Sequence, residues 1–184
     1  MTRQQERNVC IFCGGNFGND PIYVESARQL ARSLVDQGWG IVYGGASVGI
    51  MGVIADTALE AGGRVTGVIP QALFEREVAH HGLTELHRVT TMHERKKMMY
   101  DLSDAFITFP GGFGTLDETF EILTWKQIGL HKKPLICFDL NGFFTPLLTF
   151  VDQAAERGFI KPEHRALFSV AKDMDSLLKL LSTR

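Results

Sequence analysis

The residues best suited to chemistry stand in Pro110-Gly111-Gly112-Phe113-Gly114-Thr115-Leu116-Asp117-Glu118, where a glycine cluster runs straight into two carboxylates. Glycine lets a backbone turn sharply and come close to a ligand. Where such a turn feeds a helix, unpaired N–H groups and the positive end of the helix dipole favour a phosphate. The Glu118 carboxylate would then lie beside whatever sugar that phosphate carries. Local structure offers the same residue another duty. Thr115-x-x-Glu118 fits a capping box, with Thr115 as N-cap and Glu118 reaching back to its N–H, and spacing leaves both readings open. Asp117 reads as an ordinary acid of a first helical turn.

A second such pattern, Thr91-Met92-His93-Glu94, is followed at once by Arg95-Lys96-Lys97. Cations near a helix start oppose the macrodipole, at a cost of a few tenths of a kcal/mol for each exposed charge. A solvated basic face would account for them, and a bound anion would remove the conflict. Arginine in particular can grip a phosphate at two points. His93 has no partner at metal-ligand spacing, so no metal is expected; His80-His81 read as loop, and Met98 and Met99 as packing.

The elements that must position these groups alternate between strand and helix. Strands are expected at Val9–Cys13, Gly40–Tyr43, Arg64–Ile69, Leu86–Val89, Ala105–Phe109 and Pro134–Phe138, with a short last one at Phe168–Val170. Helices are expected from Pro21, capped by Asp20, to about Gln37, then over Val48–Ala61, Met92–Leu102, Leu116–Ile128 and Phe143–Glu156, with a final one capped by Asp173. Short, nearly all-apolar strands between helices predict an α/β, Rossmann-like, doubly wound parallel sheet in a single domain over 1–184, with its core at about 8–181.

Three glycine clusters fall at expected strand ends: Cys13-Gly14-Gly15-Asn16-Phe17-Gly18, the run from Tyr43 to Gly52, and the Pro110 turn. Ligands of open α/β sheets bind at the carboxyl ends of strands. A dinucleotide site would want G-x-G-x-x-G after the first strand and an acid closing the second, and this chain has neither there. A P-loop would need Gly-Lys-Ser/Thr, which no glycine cluster contains. A mononucleotide or sugar phosphate remains.

Composition narrows the class further. The chain has 184 residues and a formal net charge of −2, with 45% hydrophobic and 22% charged residues. That balance argues against sequence-wide attraction to nucleic acid or an acidic membrane. No apolar run approaches the roughly 20 residues needed to span a bilayer, and Met1–Asn8, polar and mixed in charge, do not read as a secretory signal, so none is expected. Cys10, Cys13 and Cys137 read as reduced core thiols, and a cytoplasmic address is expected.

Met92-His93-x-Arg95-Lys96, followed by Pro110-Gly-Gly-x-Gly-Thr-x-x-Glu118, resembles the paired signatures of the Lonely Guy (LOG) family. The similarity extends from about Asn8 to the last helix and includes Val-Tyr-Gly-Gly-Ala near Tyr43 and Val65–Pro70. Members are cytokinin riboside 5′-monophosphate phosphoribohydrolases, long mislabelled as lysine decarboxylases. The resemblance implies Arg95 and Glu118 as the catalytic pair. It implies that Lys96, Gly111, Gly112, Gly114 and Thr115 hold the nucleotide, with Glu77 and Thr124 lining its pocket. It also implies a homodimer and no cofactor. The chain departs from the family at Gly15, where many members carry serine, and the variable stretch from Phe74 to Thr84 leaves base preference open.

The expected reaction is hydrolysis of the N-glycosidic bond of a purine nucleoside 5′-monophosphate, giving free base and ribose 5-phosphate. The rivals are a nucleotide or molybdenum-cofactor carrier on a similar fold, and a pyridoxal phosphate decarboxylase. The latter would need a Schiff-base lysine, for which His131-Lys132 offers only an expected surface turn.

Overall fold

The computed structural model describes residues 7–74 and 78–182. In chain order the elements are β1 (Asn8–Phe12), α1 (Pro21–Asp36), β2 (Gly40–Tyr43), α2 (Gly49–Glu60), β3 (Val65–Pro70), a single turn α3 (Gln71–Phe74), β4 (Glu85–Val89), α4 (Met92–Asp101) and β5 (Ala105–Thr108). They continue with α5 (Phe113–Gln127), β6 (Leu135–Phe138), α6 (Thr145–Glu156), α7 (Pro162–Arg165), β7 (Ser169–Ala171) and α8 (Met174–Ser182).

Local chemistry sets several of these boundaries. Asp20 caps α1 by accepting from the Ile22 N–H at 3.0 Å, and Pro21 supplies a first helical residue that needs no donor. Gly38, at φ +77°, takes the left-handed conformation that ends the helix. Asp173 caps α8 through the Ser176 N–H at 2.7 Å.

The seven strands form one sheet in the order β4-β3-β2-β1-β5-β6-β7, and every neighbouring pair is parallel. Alternation along β1 shows how both faces are covered. Val9 and Ile11 join the core beneath α1, α2 and α8, while Cys10 and Phe12 point to the other face, against Met99 of α4 and Ile122 of α5. Each fully buried aliphatic side chain such as Leu30 or Leu34 contributes roughly 1.5–3 kcal/mol. The three cysteines are buried and unpaired, as expected, and burial pushes the Cys137 thiol up to about 12. No described helix is long and apolar enough to cross a membrane.

The order reverses at β1. From β1 the chain steps outward to β4, then returns to lay β5 on the other side of β1. Connections on the two sides leave over opposite faces, so the chains leaving β1 and β5 part toward α1 and α5 and open a crevice. One boundary differs from expectation: α5 begins at Phe113, with Gly112 as N-cap, rather than at Leu116.

Candidate active site

The crevice is a cleft of about 500 Å³. The turn after β1, the turn after β5 and Gly44 at the end of β2 line it, and Arg95 and Glu118 contribute their side chains. Two turns meet because they are glycine. The Gly14 N–H donates to the Pro110 carbonyl at 3.3 Å, and a Cβ on Gly111 would come within 2.7 Å of the Gly14 nitrogen and strike the Thr115 hydroxyl. The third turn joins through the Met51 N–H, which donates to the Gly14 carbonyl at 3.3 Å.

Arg95 stands in the first turn of α4, held there by the Thr91–Glu94 capping box. Its Nε donates to the Val68 carbonyl of β3 at 3.0 Å and its Nη1 to Glu118 Oε1 of α5 at 2.5 Å. A Cβ on Gly44 would strike Arg95 Nη2, so the guanidinium comes this close to the turn only because that position is glycine. Both ionic side chains are buried, with 9% and 10% of their surface exposed. Burial raises the Glu118 carboxyl above the ordinary glutamate range, and the adjoining guanidinium opposes that rise without cancelling it. The result is a desolvated anion beside a cradle of helix N–H groups, suited to stabilising positive charge that develops on a bound ligand.

The structure brings Arg95, Gly111, Gly112, Gly114, Thr115 and Glu118 together around this cleft. The capping reading of Thr115 and Glu118 is corrected. Since α5 starts at Phe113, Thr115 is already inside the helix, its buried hydroxyl has no partner among the described residues, and Glu118 turns to Arg95. Lys96 is not among the lining residues. Its ammonium bridges α4 to α5 through Asp117 at 3.2 Å and Glu121 at 3.1 Å. Burial works against that charge, but hydrogen bonds donated to Glu121 and Asp117 outweigh it and raise the Lys96 pKa. Thr124 is likewise outside the cleft, exposed on α5 with its hydroxyl donating to the Phe120 carbonyl at 2.7 Å. Glu77 lies outside the described residues.

Some cleft residues carry little signal in the sequence. Tyr23 and Phe143 meet edge-to-face at 5.8 Å at the cleft wall, and Met51 joins them. Tyr23 was discoverable, because it sits in the first turn of the helix after the first glycine cluster. Phe143 follows β6 and has no local mark. His131 and Lys132, by contrast, precede β6 at the amino end of the sheet. There the His131 Nε2–H donates to the Ile122 carbonyl, and no lysine lines the cleft among the described residues.

A family model described as "possible lysine decarboxylase" matches residues 51–181. A cytokinin riboside 5′-monophosphate phosphoribohydrolase of Rhodococcoides fascians is 45% identical over 179 residues, covering 97% of this chain and 90% of the relative. The Arabidopsis thaliana cytokinin riboside 5′-monophosphate phosphoribohydrolase LOG2 is 42% identical over 180 residues, with 98% and 84% covered. Among solved structures, the molybdenum cofactor binding protein of Rippkaea orientalis superposes with a TM-score of 0.73 at 19% identity, over 98% of both chains. The Chlamydomonas reinhardtii molybdenum cofactor carrier protein gives 0.70 at 19% identity, with 97% of this chain and 100% of that one covered. Those two likenesses show the fold alone. With relatives of such identity along nearly its whole length, and with the paired Arg95 and Pro110–Glu118 signatures converging on one cleft, the chain belongs to the Lonely Guy (LOG) family.

Proposed function

We propose that the protein hydrolyses the N-glycosidic bond of purine nucleoside 5′-monophosphates, cytokinin riboside 5′-monophosphates among them. The observation that carries this reading is the buried Arg95–Glu118 pair beside the glycine turn that begins α5. N–H groups of Gly112, Gly114 and Thr115 hold the 5′-phosphate at the positive end of the helix. Arg95 orients the ribose. As the bond from C1′ to the base nitrogen breaks, the ribose becomes oxocarbenium-like and the Glu118 carboxylate stabilises it. Water adds to C1′, the base leaves with a proton, and ribose 5-phosphate remains.

Homodimerisation completes this reading. Phe113 is 93% exposed and Ile128 63% exposed, and with Phe120 and Met92 they leave an apolar stripe on α5 and α4 that a second copy would cover. Thr124 lies among them, so any substrate contact it makes comes across that interface. The reduced thiols suit a cytoplasmic setting.

Incubation with adenosine 5′-monophosphate and isopentenyladenosine 5′-monophosphate is expected to release free base and ribose 5-phosphate. The unphosphorylated nucleosides are expected to turn over far more slowly. A carrier has no use for a desolvated carboxylate beside the sugar, so nucleotide bound tightly and recovered intact after long incubation would overturn the hydrolase reading. The dimer is checked by sedimentation equilibrium.

A further inference from the structure

His80 lies in a stretch that reads as loop, yet it makes hydrogen bonds through both ring nitrogens. The Gly82 N–H donates to its Nδ1 at 3.1 Å, which makes Nδ1 the acceptor and leaves the proton on Nε2. Nε2 is 2.8 Å from Asp56 Oδ1 on α2, so the ring donates there. The ring is largely buried, with 11% of the side chain exposed, while Asp56 is 61% exposed.

The backbone around His80 forms a strap across the turn that follows β2. The Ser47 N–H donates to the Val78 carbonyl at 2.8 Å, and the His80 N–H donates to the Gly45 carbonyl at 2.9 Å. Ala46 and Ala79 pair between them as an antiparallel bridge, and the Ser47 hydroxyl adds a bond to Val78 at 3.2 Å. The turn held in this way includes Gly44, whose backbone is the wall against Arg95 Nη2.

We infer that His80 is a positioning residue: clamped between Asp56 and Gly82, it pins the strap that sets the Gly44 turn against the guanidinium of Arg95. The inference rests on the nucleotide-hydrolase reading for its kinetic consequence, and on geometry alone for its structural one. The Nη1–Glu118 bond is short and buried, so small displacement of the Gly44 wall redirects the guanidinium. The phosphate cradle belongs to a different element, α5, and stays in place.

In His80→Ala, kcat for adenosine 5′-monophosphate is expected to fall by about tenfold or more, with KM moving less than about threefold. His80→Gln keeps a donor able to reach Asp56 and is expected to recover part of the loss. Asp56→Asn keeps the accepting oxygen and is expected to behave as the parent, whereas Asp56→Ala is expected to follow His80→Ala. These two exposed-site variants decide the matter should His80→Ala fail to fold. Amide exchange at Ser47 and Gly82 is expected to quicken in Asp56→Ala while Cys10 and Val42 in the central strands stay protected. Unchanged kinetics in folded His80→Ala or Asp56→Ala, or exchange that quickens evenly through the sheet, would overturn the inference. If the parent protein releases no base from any nucleoside monophosphate, the hydrolase reading fails instead, and the exchange pattern alone judges the strap.

Discussion

Thr91–Glu94 and Thr115–Glu118 share one four-residue pattern at the start of successive helices, yet they do different work. At the first, Thr91 is extended, its hydroxyl accepts from the Glu94 N–H at 3.1 Å, and Glu94 accepts in return from the Thr91 N–H at 3.2 Å. At the second, a glycine starts the helix three residues early with no side-chain cap, so neither polar group is called on by the backbone. Thr115 turns inward and Glu118 is released to Arg95. The difference teaches that a capping motif is a competition for the same side chain. A preceding Gly-Gly turn can settle it by beginning the helix without help.

The largest break of this comparison comes from equivalent substitutions in the two glutamates. Glu118→Gln is expected to lower kcat about 10²–10³-fold, the scale for removing one preorganised electrostatic group. The variant stays folded because an amide oxygen still accepts from Arg95. Glu94→Gln is expected to leave kcat near the parent value. The pH profile sharpens the same point. In the proposed reaction Glu118 works as an anion, and burial holds its pKa above the ordinary value. Activity is therefore expected to fall as pH drops through that raised pKa, with the acid limb of kcat/KM centred above the value of about 4.3 for a free glutamate. That limb is expected to vanish in Glu118→Gln; an unaltered limb would remove Glu118 from the chemistry.

A smaller effect is expected from Gly44→Ala. The new methyl meets the end of the Arg95 side chain rather than backbone, so the fold survives while the guanidinium shifts. Assays are expected to show about a tenfold loss in kcat, with the thermal midpoint nearly unchanged. The smallest effect belongs to the capping pair itself. Thr91→Ala is expected to cost about 1 kcal/mol of stability, read by urea denaturation, with little change in kcat. A large kinetic loss there would show that the first pattern, too, is tied to chemistry through Arg95.

Much of the fold was legible because its rules are local. Period, glycine punctuation and caps such as Asp20 and Asp173 name the elements, and nearly all-apolar strands name a parallel sheet. The glycine turn at Pro110 was legible as a sharp turn into a helix start for the same reason. Lys96 shows where local reading ends. The family resemblance implies a nucleotide contact there, yet successive residues on a helix point about 100° apart, and the Lys96 ammonium pairs with Asp117 and Glu121 outside the cleft lining. His80 shows the opposite error, since a loop histidine acquires both its partners from folding, one of them on a helix distant in sequence.

From residue types and spacing alone came the alternating elements, the three glycine turns and the two candidate groups, Arg95 and Glu118. The family resemblance named the two as a pair, and tertiary structure decided that their side chains touch. They are separated by 23 positions, and they meet because β5 returns beside β1 and lays α4 and α5 on one face of the sheet. Sequence periodicity tells which face of an element is apolar but not which other element will cover it. The pairing of a buried cation with a buried anion depends on that second fact.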